Sequence, residues 1–251
     1  KRSDLVIITK MQTSGRGRLG RKFISLPNKN VTFSVVLHPN IPFEEIQLYS
    51  FLAGIVVSRV LEKYIQNVRL KWPNDVLVRG RKICGILIET IKVNDYQNPI
   101  VIMGIGLNTK GFKKDYPIEL KNVVTTLEEE IHINSNGIQN SKTNFYLENE
   151  KIFQELLKEL EVCIDIFKKK NNFPNNLGIN NLNTKLIIKE WLSRSKAIGM
   201  KVKFLNNSIN KISNKYNIGN IEGLTNEGHL KIRTKSGQLI THVSGDIIEI
   251  K

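Results

Sequence analysis

The sequence predicts an α+β fold: a β-sheet carrying helices, followed by a small separate β-barrel. Three observations lead there. From Leu5 to Leu107, short β-branched or alternating runs recur between Gly, Pro and Asn breaks, as strands do. Ile152, Leu156, Leu160 and Ile164 then recur every four residues, the period of a helix face. From Gly199 the chain turns to short β segments divided by Gly, Asn and Lys turns, which sets a domain boundary near 196–199.

The elements follow in order. Leu5–Thr9 is a short β-branched run expected to be a buried strand. Residues 13–22 break all periodicity with three glycines and are expected to form a mobile loop. Val31–Leu37 is a second strand, closed by His38-Pro39-Asn40. Pro42-Phe-Glu-Glu opens a helix with acids in its first turn, and its apolar stripe runs through Ile46, Phe51, Ile55, Val56, Val60 and Tyr64. Val68–Trp72 and Asp75–Val78 are strands either side of a Pro-Asn break; Arg79–Lys82 is a turn and Ile83–Ile91 returns as a hairpin partner. Ile100–Leu107 is a further strand. Residues 110–144 are polar, with a short helix expected near Val123–Glu129, and Phe145–Lys170 is a long amphipathic helix. Asn171–Asn183 is an Asn-rich connector, Lys185–Ser195 a short helix, and Lys201–Leu205, Asn217–Leu224, Leu230–Arg233 and Ile247–Ile250 are the strands of the small barrel.

Composition removes several classes of function. The 38 basic and 23 acidic side chains of the 251 residues leave a net charge of +15. Nucleic acid is one reading of that excess. A Lys-, Asn- and Ile-rich composition scatters the charge over solvated faces and is the other reading. No apolar run approaches the roughly 18 residues of a membrane-spanning helix, and no signal segment opens the chain. Cys84 and Cys163 lie far apart and read as reduced thiols of an intracellular protein. The four histidines do not cluster with cysteines or carboxylates, so no metal site is expected.

Three segments carry chemistry. Gly15-Arg-Gly-Arg-Leu-Gly-Arg21 places three guanidiniums within six positions, fork-shaped donors suited to carboxylate and phosphate, with glycines that let backbone N–H groups turn towards the same anion. It is not a Walker loop, since no GxxxxGK[ST] occurs; an RNA-binding arm is the competing reading. In Val68-Arg-Leu-Lys-Trp-Pro-Asn-Asp75, alternation sends Val68, Leu70 and Trp72 to one face and Arg69 and Lys71 to the other. Lys71 is aimed at a bound anion, or it faces water from an edge strand. In Ile100–Asn108, alternation gathers Ile102, Gly104, Gly106 and Asn108 on one face, stripped of side chains at two successive positions. Strand glycines of this kind mark close approach by a ligand or another element, so a flat molecule or a packed neighbour lies there. Gly85-Ile-Leu-Ile-Glu89 repeats that logic on the hairpin partner, with Glu89 a carboxylate at its end.

In order and spacing, Gly15–Arg21, Lys71-Trp-Pro-Asn-Asp75, Gly85–Glu89 and Gly104-Ile-Gly-Leu-Asn108 resemble the motifs of the biotin protein ligases, or holocarboxylase synthetases. The resemblance runs from about Leu5 to the C-terminus, where Gly219–Ile232 and Ser244–Ile248 are similar to that family's SH3-like domain. It implies a mixed β-sheet catalytic domain of the class II synthetase-like type with helices on one side, spanning residues 1–196. A small SH3-like domain follows over 197–251. It also implies a cytoplasmic ligase that uses ATP and biotin as substrates, with Mg2+ arriving on ATP. Biotin would be activated as biotinyl-5′-AMP and passed to one lysine of a carboxylase's biotin-acceptor domain. Lys71 and Arg18 would be catalytic, neutralising charge at the carboxylate and α-phosphate. Gln12 would hydrogen-bond biotin, while Gly15, Arg16, Gly17 and Arg18 would lie on the activated carboxyl and the phosphates, with Arg21 on pyrophosphate. Gly104 and Gly106 would flank the biotin rings, Gly85 would permit the substrate's approach, and Asn108 would approach the nucleotide. The family carries a Ser/Thr-containing segment upstream; this sequence starts at Lys1, shortly before Gln12, so the catalytic unit is expected to lack its N-terminal part. Phe23 stands where the family often has Trp. No helix-turn-helix is visible, and exposed strands suit a sheet-edge homodimer. A lipoate or octanoate ligase of the same fold and a basic RNA-binding protein are the alternatives.

Overall fold

The computed structural model describes residues 4–39, 42–92, 98–134, 148–169, 180–208 and 211–250. The first sheet has six strands: β1 (Leu5–Thr9), β2 (Asn30–Leu37), β3 (Val68–Lys71), β4 (Asp75–Val78), β5 (Arg81–Ile91) and β6 (Ile100–Asn108), in the order β1-β2-β6-β5-β4-β3. Every pairing between these strands is antiparallel. The mixed sheet implied by the resemblance is therefore antiparallel throughout its ladders, and the one parallel pairing among the described residues is the isolated bridge Lys82–Val124. The β4–β5 hairpin turns on Arg79 (φ 50°) and Gly80 (φ 81°). Two successive left-handed residues give the tight turn whose twist suits a hairpin, so the return strand starts at Arg81, two residues before the expected Ile83.

Alternation in β6 is kept: Val101, Met103, Ile105 and Leu107 all enter the core. Helix α1 (Gln47–Leu61) lies on that core face, against β3–β6, and is covered in turn by α3 (Asn149–Lys169) and α4 (Asn180–Ser195). Both sides are occupied, so 13 of its 15 residues are buried and the expected stripe has widened to nearly the whole helix. Gly54 of this helix faces Leu70 and Ile86; a Cβ there would make ordinary contacts, the nearest 3.4 Å from the Leu70 Cδ2. Aromatic contacts stitch the helical layer, with Phe51 stacked on Trp191 at 4.6 Å and Tyr49 edge-on to Phe167 at 5.2 Å. Cys84 is a small apolar filler here, its thiol pushed up to about 12 by burial.

Three expectations change. β1 is not buried: Leu5, Val6, Ile7 and Ile8 are 41–54% exposed, because β1 is an edge strand paired only with β2. The helix expected near Val123–Glu129 is α2 (Leu127–Asn134); Thr126 accepts the Glu129 N–H at 3.0 Å as its cap and so sets the start. Helix α4 begins at Asn180, inside the stretch read as a connector; the rest of that connector, 171–179, and residues 145–147 of the long helix lie outside the described residues.

The second sheet comprises β7 (Lys201–Ser208), β8 (Lys211–Leu224), β9 (Leu230–Thr234), β10 (Leu239–His242) and β11 (Ile247–Glu249), ordered β10-β9-β8-β7-β11. It is antiparallel and buries Val202, Phe204, Ile221, Leu230, Ile232 and Ile247, consistent with a small SH3-like unit. β10 is the strand missing from the sequence expectation. The two sheets are tied together. Gly228 (φ 87°) brings the β8–β9 turn so close to Phe51 that a Cβ would lie 3.0 Å from its ring, and the Trp72 indole donates to the Gly228 carbonyl at 3.0 Å.

Candidate active site

A cleft of about 940 Å³ opens between the arginine segment, the outer face of β2, β6 and β5, the Lys71–Asp75 turn and the β10–β11 turn. Its residues come from both sheets. Of the residues expected to bind ligand, Gln12, Arg16, Gly17, Arg18, Arg21, Lys71, Gly85, Gly104 and Gly106 line it.

The arginine segment is held as a tight turn, where the sequence predicts a mobile loop. Gly17 N–H donates to the Arg21 carbonyl at 2.7 Å and Phe23 N–H to the Gly15 carbonyl at 2.9 Å. Leu19 (φ 55°) and Gly20 (φ 73°) supply the left-handed corner. The turn lifts its guanidiniums over the cleft. Arg16 meets Glu89 at 3.2 Å, Arg21 pairs with Asp246 of the second sheet, and Lys82 pairs with Asp75 at 2.6 Å.

Of the cations that line the cleft, Arg18, Lys22 and Lys71 stand outside this pairing among the described residues. Lys71, placed by β3 alternation on the cleft side, has no ion-pair or hydrogen-bond partner among the described residues. Arg18 likewise has none, and its Nη1 is buried. Burial lowers the Arg18 pKa, while the carboxylates of Asp246 and Asp75 oppose that shift. A cleft with three unneutralised cations, one desolvated, is suited to an anionic ligand.

The wall below is β6. A Cβ at Gly104 would meet only ordinary contacts, Leu87 O at 3.6 Å and Ser34 Oγ at 3.8 Å, so the space above it is free. Gly106 differs. A Cβ there would fall 2.4 Å from the Phe23 Cζ, and Gly85 lies beneath the same ring. The partner that Gly106 admits is therefore Phe23, a part of the chain itself, and the open floor is confined to Gly104 with Thr32, Ser34 and Leu87 around it.

Two further residues sit elsewhere than expected. Gly15 does not line the cleft; a Cβ there would strike the Phe23 carbonyl at 2.4 Å, so this glycine serves the turn. Asn108 is buried and turned inwards, donating to the Thr125 carbonyl at 3.1 Å and accepting from Asn30 Nδ2 at 2.9 Å. Its amide holds the Asn30 and Thr125 segments together in this structure.

The turn after Lys71 is built by the neighbouring elements. Trp72 is buried against the second sheet, and the Pro73 carbonyl accepts from Ser50 and Gln47 of α1. Asn74 exchanges hydrogen bonds with the backbone of Ile86 in β5. His242 of β10 packs on Trp72 and on Phe204, each at 5.3 Å between ring centroids. Burial and the nearby Arg18 lower its pKa, against Asp246. Sequence reasoning missed the second sheet's share of the cleft: Leu205, Tyr216 and the Gly245–Ile248 turn. The Gly-Asp dipeptide before β11 was the available signal. Among the described residues no three His, Cys, Asp or Glu side chains gather as a metal cage, and no helix is long and apolar enough to cross a membrane.

Comparison with known proteins agrees with this architecture. Residues 1–108 match the profile of the Biotin/lipoate A/B protein ligase family. The chain is 34% identical over 125 residues to the bifunctional ligase/repressor BirA of Bacillus subtilis, spanning 49% of this chain and 38% of that protein. It is 37% identical over 109 residues to a biotin–[acetyl-CoA-carboxylase] ligase of Mycobacterium tuberculosis, 41% of this chain and 39% of that protein. The chain thus spans well under half the length of these relatives. Among solved structures, the biotin protein ligase of Aquifex aeolicus in complex with biotin and ATP superposes with a TM-score of 0.70 at 26% identity, covering 98% of this chain and 88% of that one. With the motifs in order and both sheets in place, the chain is similar to the biotin/lipoate A/B protein ligase family over residues 1–108 and to a solved biotin protein ligase over nearly its whole length.

Proposed function

We propose that the chain is an ATP-dependent biotin protein ligase, with residues 1–196 as the catalytic unit and 197–251 as an SH3-like unit that completes the cleft. The observation that carries this reading is the convergence of Arg18 and Lys71, both without partners, above the bare floor at Gly104. The names of the relatives support the substrate class: biotin and ATP, with acetyl-CoA carboxylase as the protein modified.

The chemistry follows from those positions. A biotin carboxylate oxygen attacks the α-phosphorus of ATP, the O–P bond forms, and the bond to the β-phosphate breaks with loss of pyrophosphate. Negative charge concentrates at the α-phosphate as this happens. Lys71 and Arg18 stand ready to meet it with fixed positive charge, the kind of stabilisation worth about 10²–10³ in rate per donor. Arg16 and Arg21, at the rim, suit the departing phosphates, and Mg2+ enters on ATP as part of the substrate. The biotin rings lie over Gly104, and Gln12 at the mouth offers an amide to the same ligand. The acceptor lysine's amine then attacks the mixed-anhydride carbonyl, a C–N bond forms, and AMP leaves. No covalent enzyme intermediate is involved; holding the two reactants and excluding water carry the rate. Cytoplasm supplies ATP and keeps Cys84 and Cys163 reduced, in keeping with this role.

The test is incorporation of labelled biotin into a carboxylase acceptor fragment. The expected result is labelling that requires ATP and biotin and releases pyrophosphate. Labelling with lipoate or octanoate instead, or pyrophosphate release that ignores biotin, overturns the assignment.

A further inference from the structure

We propose that Asp246, in the turn entering β11, is a positioning residue for the arginine segment, and that β11 thereby sets the distance between the two cationic elements of the cleft. The inference rests on the ligase reading above and extends it to the second sheet.

Asp246 lies 225 residues from Arg21 in sequence, yet its carboxylate pairs with that guanidinium. The same carboxylate acts electrostatically on the desolvated Arg18 without pairing with it, as does that of Asp75. Gly245 (φ 108°) precedes it in a backbone region that side chains strain to adopt, which directs the turn into the cleft. Three residues on, Glu249 at the end of β11 pairs with Arg69 at 2.8 Å. Arg69 is in β3, on the same face as Lys71 and two residues before it. One short strand therefore grips both parts of the cation pair: Glu249 holds the Lys71 strand and Asp246 holds the Arg18–Arg21 turn. β11 itself is fixed by its ladder to β7, Ile247 opposite Phe204 and Glu249 opposite Val202.

The Arg21–Asp246 pair is open to water, the Arg21 side chain being 64% exposed. Exposed pairs contribute little to folding stability. Its place in the molecule is thus one where removal leaves the fold intact and changes where the turn rests. Misplacing catalytic groups by an ångström costs large factors in rate.

The experiment uses the whole chain with biotin and MgATP, and reads the rate at which biotinyl-adenylate dissociates, the KM for ATP, and the unfolding midpoint. Asp246→Asn is expected to raise adenylate dissociation and the KM for ATP by about tenfold each, with the midpoint unmoved. Asp246→Glu is expected to restore most of the loss. Combined with Arg21→Ala, Asp246→Asn is expected to add nothing beyond the single Arg21→Ala change. Wild-type dissociation and KM in Asp246→Asn, a fall in midpoint that accounts for the loss, or multiplicative effects of the two substitutions would each overturn the proposal. If the unaltered chain makes no adenylate, the ligase reading falls and takes this one with it. If it makes adenylate and Asp246→Asn behaves as wild type, the positioning role alone falls.

Discussion

Alanine at Gly106 and alanine at Gly104 should behave in opposite ways, although the two glycines are neighbours on one face of one strand. At Gly106 the added methyl would lie 2.4 Å from Phe23 Cζ and 2.7 Å from Cε1, against the roughly 3.5–4.0 Å of a comfortable carbon contact. The ring must retreat by more than about 1 Å. Its backbone is held by the Phe23–Gly15 hydrogen bond, so the turn is pushed with it. Overpacking of this kind costs about 1–3 kcal/mol. For a chain of this size that is a fall of about 2–12 °C in unfolding midpoint. At Gly104 the nearest atoms are 3.6–3.9 Å away, an ordinary distance, and replacing a strand glycine relieves about 0.5–1 kcal/mol of chain entropy. Gly104→Ala should therefore unfold at or slightly above the wild-type temperature and bind biotin poorly, since the methyl enters the free floor. Thermal unfolding by circular dichroism, with and without biotin, reads both quantities. In a Phe23→Ala background the Gly106→Ala penalty should vanish. Equal destabilisation by the two substitutions, or a Gly106→Ala cost that persists without the ring, would refute the division of the wall into a self-filled and an open half.

Three other outcomes are expected. Lys71→Ala should lower adenylate formation by about 10²–10³ without changing the fold, and pyrophosphate release at the wild-type rate would contradict its assignment. Glu130, 1% exposed and paired with Arg81 at 2.8 Å and Arg79 at 3.3 Å, anchors α2 to the β4–β5 hairpin; Glu130→Gln should cost about 1.5–3 kcal/mol in urea unfolding by weakening a charge-assisted bond to the half-buried Arg81, which keeps Glu129 at 2.9 Å, and a change below about 0.5 kcal/mol would count against it. His242 has a pKa held below its ordinary 6.5 by burial first and by Arg18 second, with Asp246 opposing. As pH falls below 6.5 the unfolded chain takes up a proton that the folded chain resists, so stability is full above that value and is lost on acidification; His242→Phe should flatten that part of the profile, and an unchanged slope would exclude the imidazole as its source.

Strand and helix periods were legible where burial was one-sided. The alternation of β6 and the four-residue repeat of α3 both reached the structure as read, because each face meets a single environment. Reading α1 as a striped helix understated it: a pattern records how apolar a segment is, and only packing shows that α3 and α4 close its second side. β1 errs the other way, apolar on both faces and exposed on both, since an edge position is decided by strand order rather than by the strand's own residues.

The site divides along the same line. Residue types and their spacing pointed to Arg16, Arg18, Arg21, Lys71 and Gly104 as candidates for meeting an anion and a flat ligand, and all five line one cleft, because fixed charge and a missing side chain are properties of single positions. Asn108 shares the face of Gly104 by alternation, yet its amide is spent on Asn30 and Thr125. Gly106 reads as ligand space, yet Phe23 fills it. What the amino-acid order determined by itself was therefore the kit: a run of strands, a cationic Gly-rich segment, a strand-borne lysine and a small second β unit. What only tertiary structure decided was which of these meet. Asp246 reaches Arg21 across 225 residues, and no local pattern encodes a contact whose two halves acquire their meaning only when separate sheets pack together.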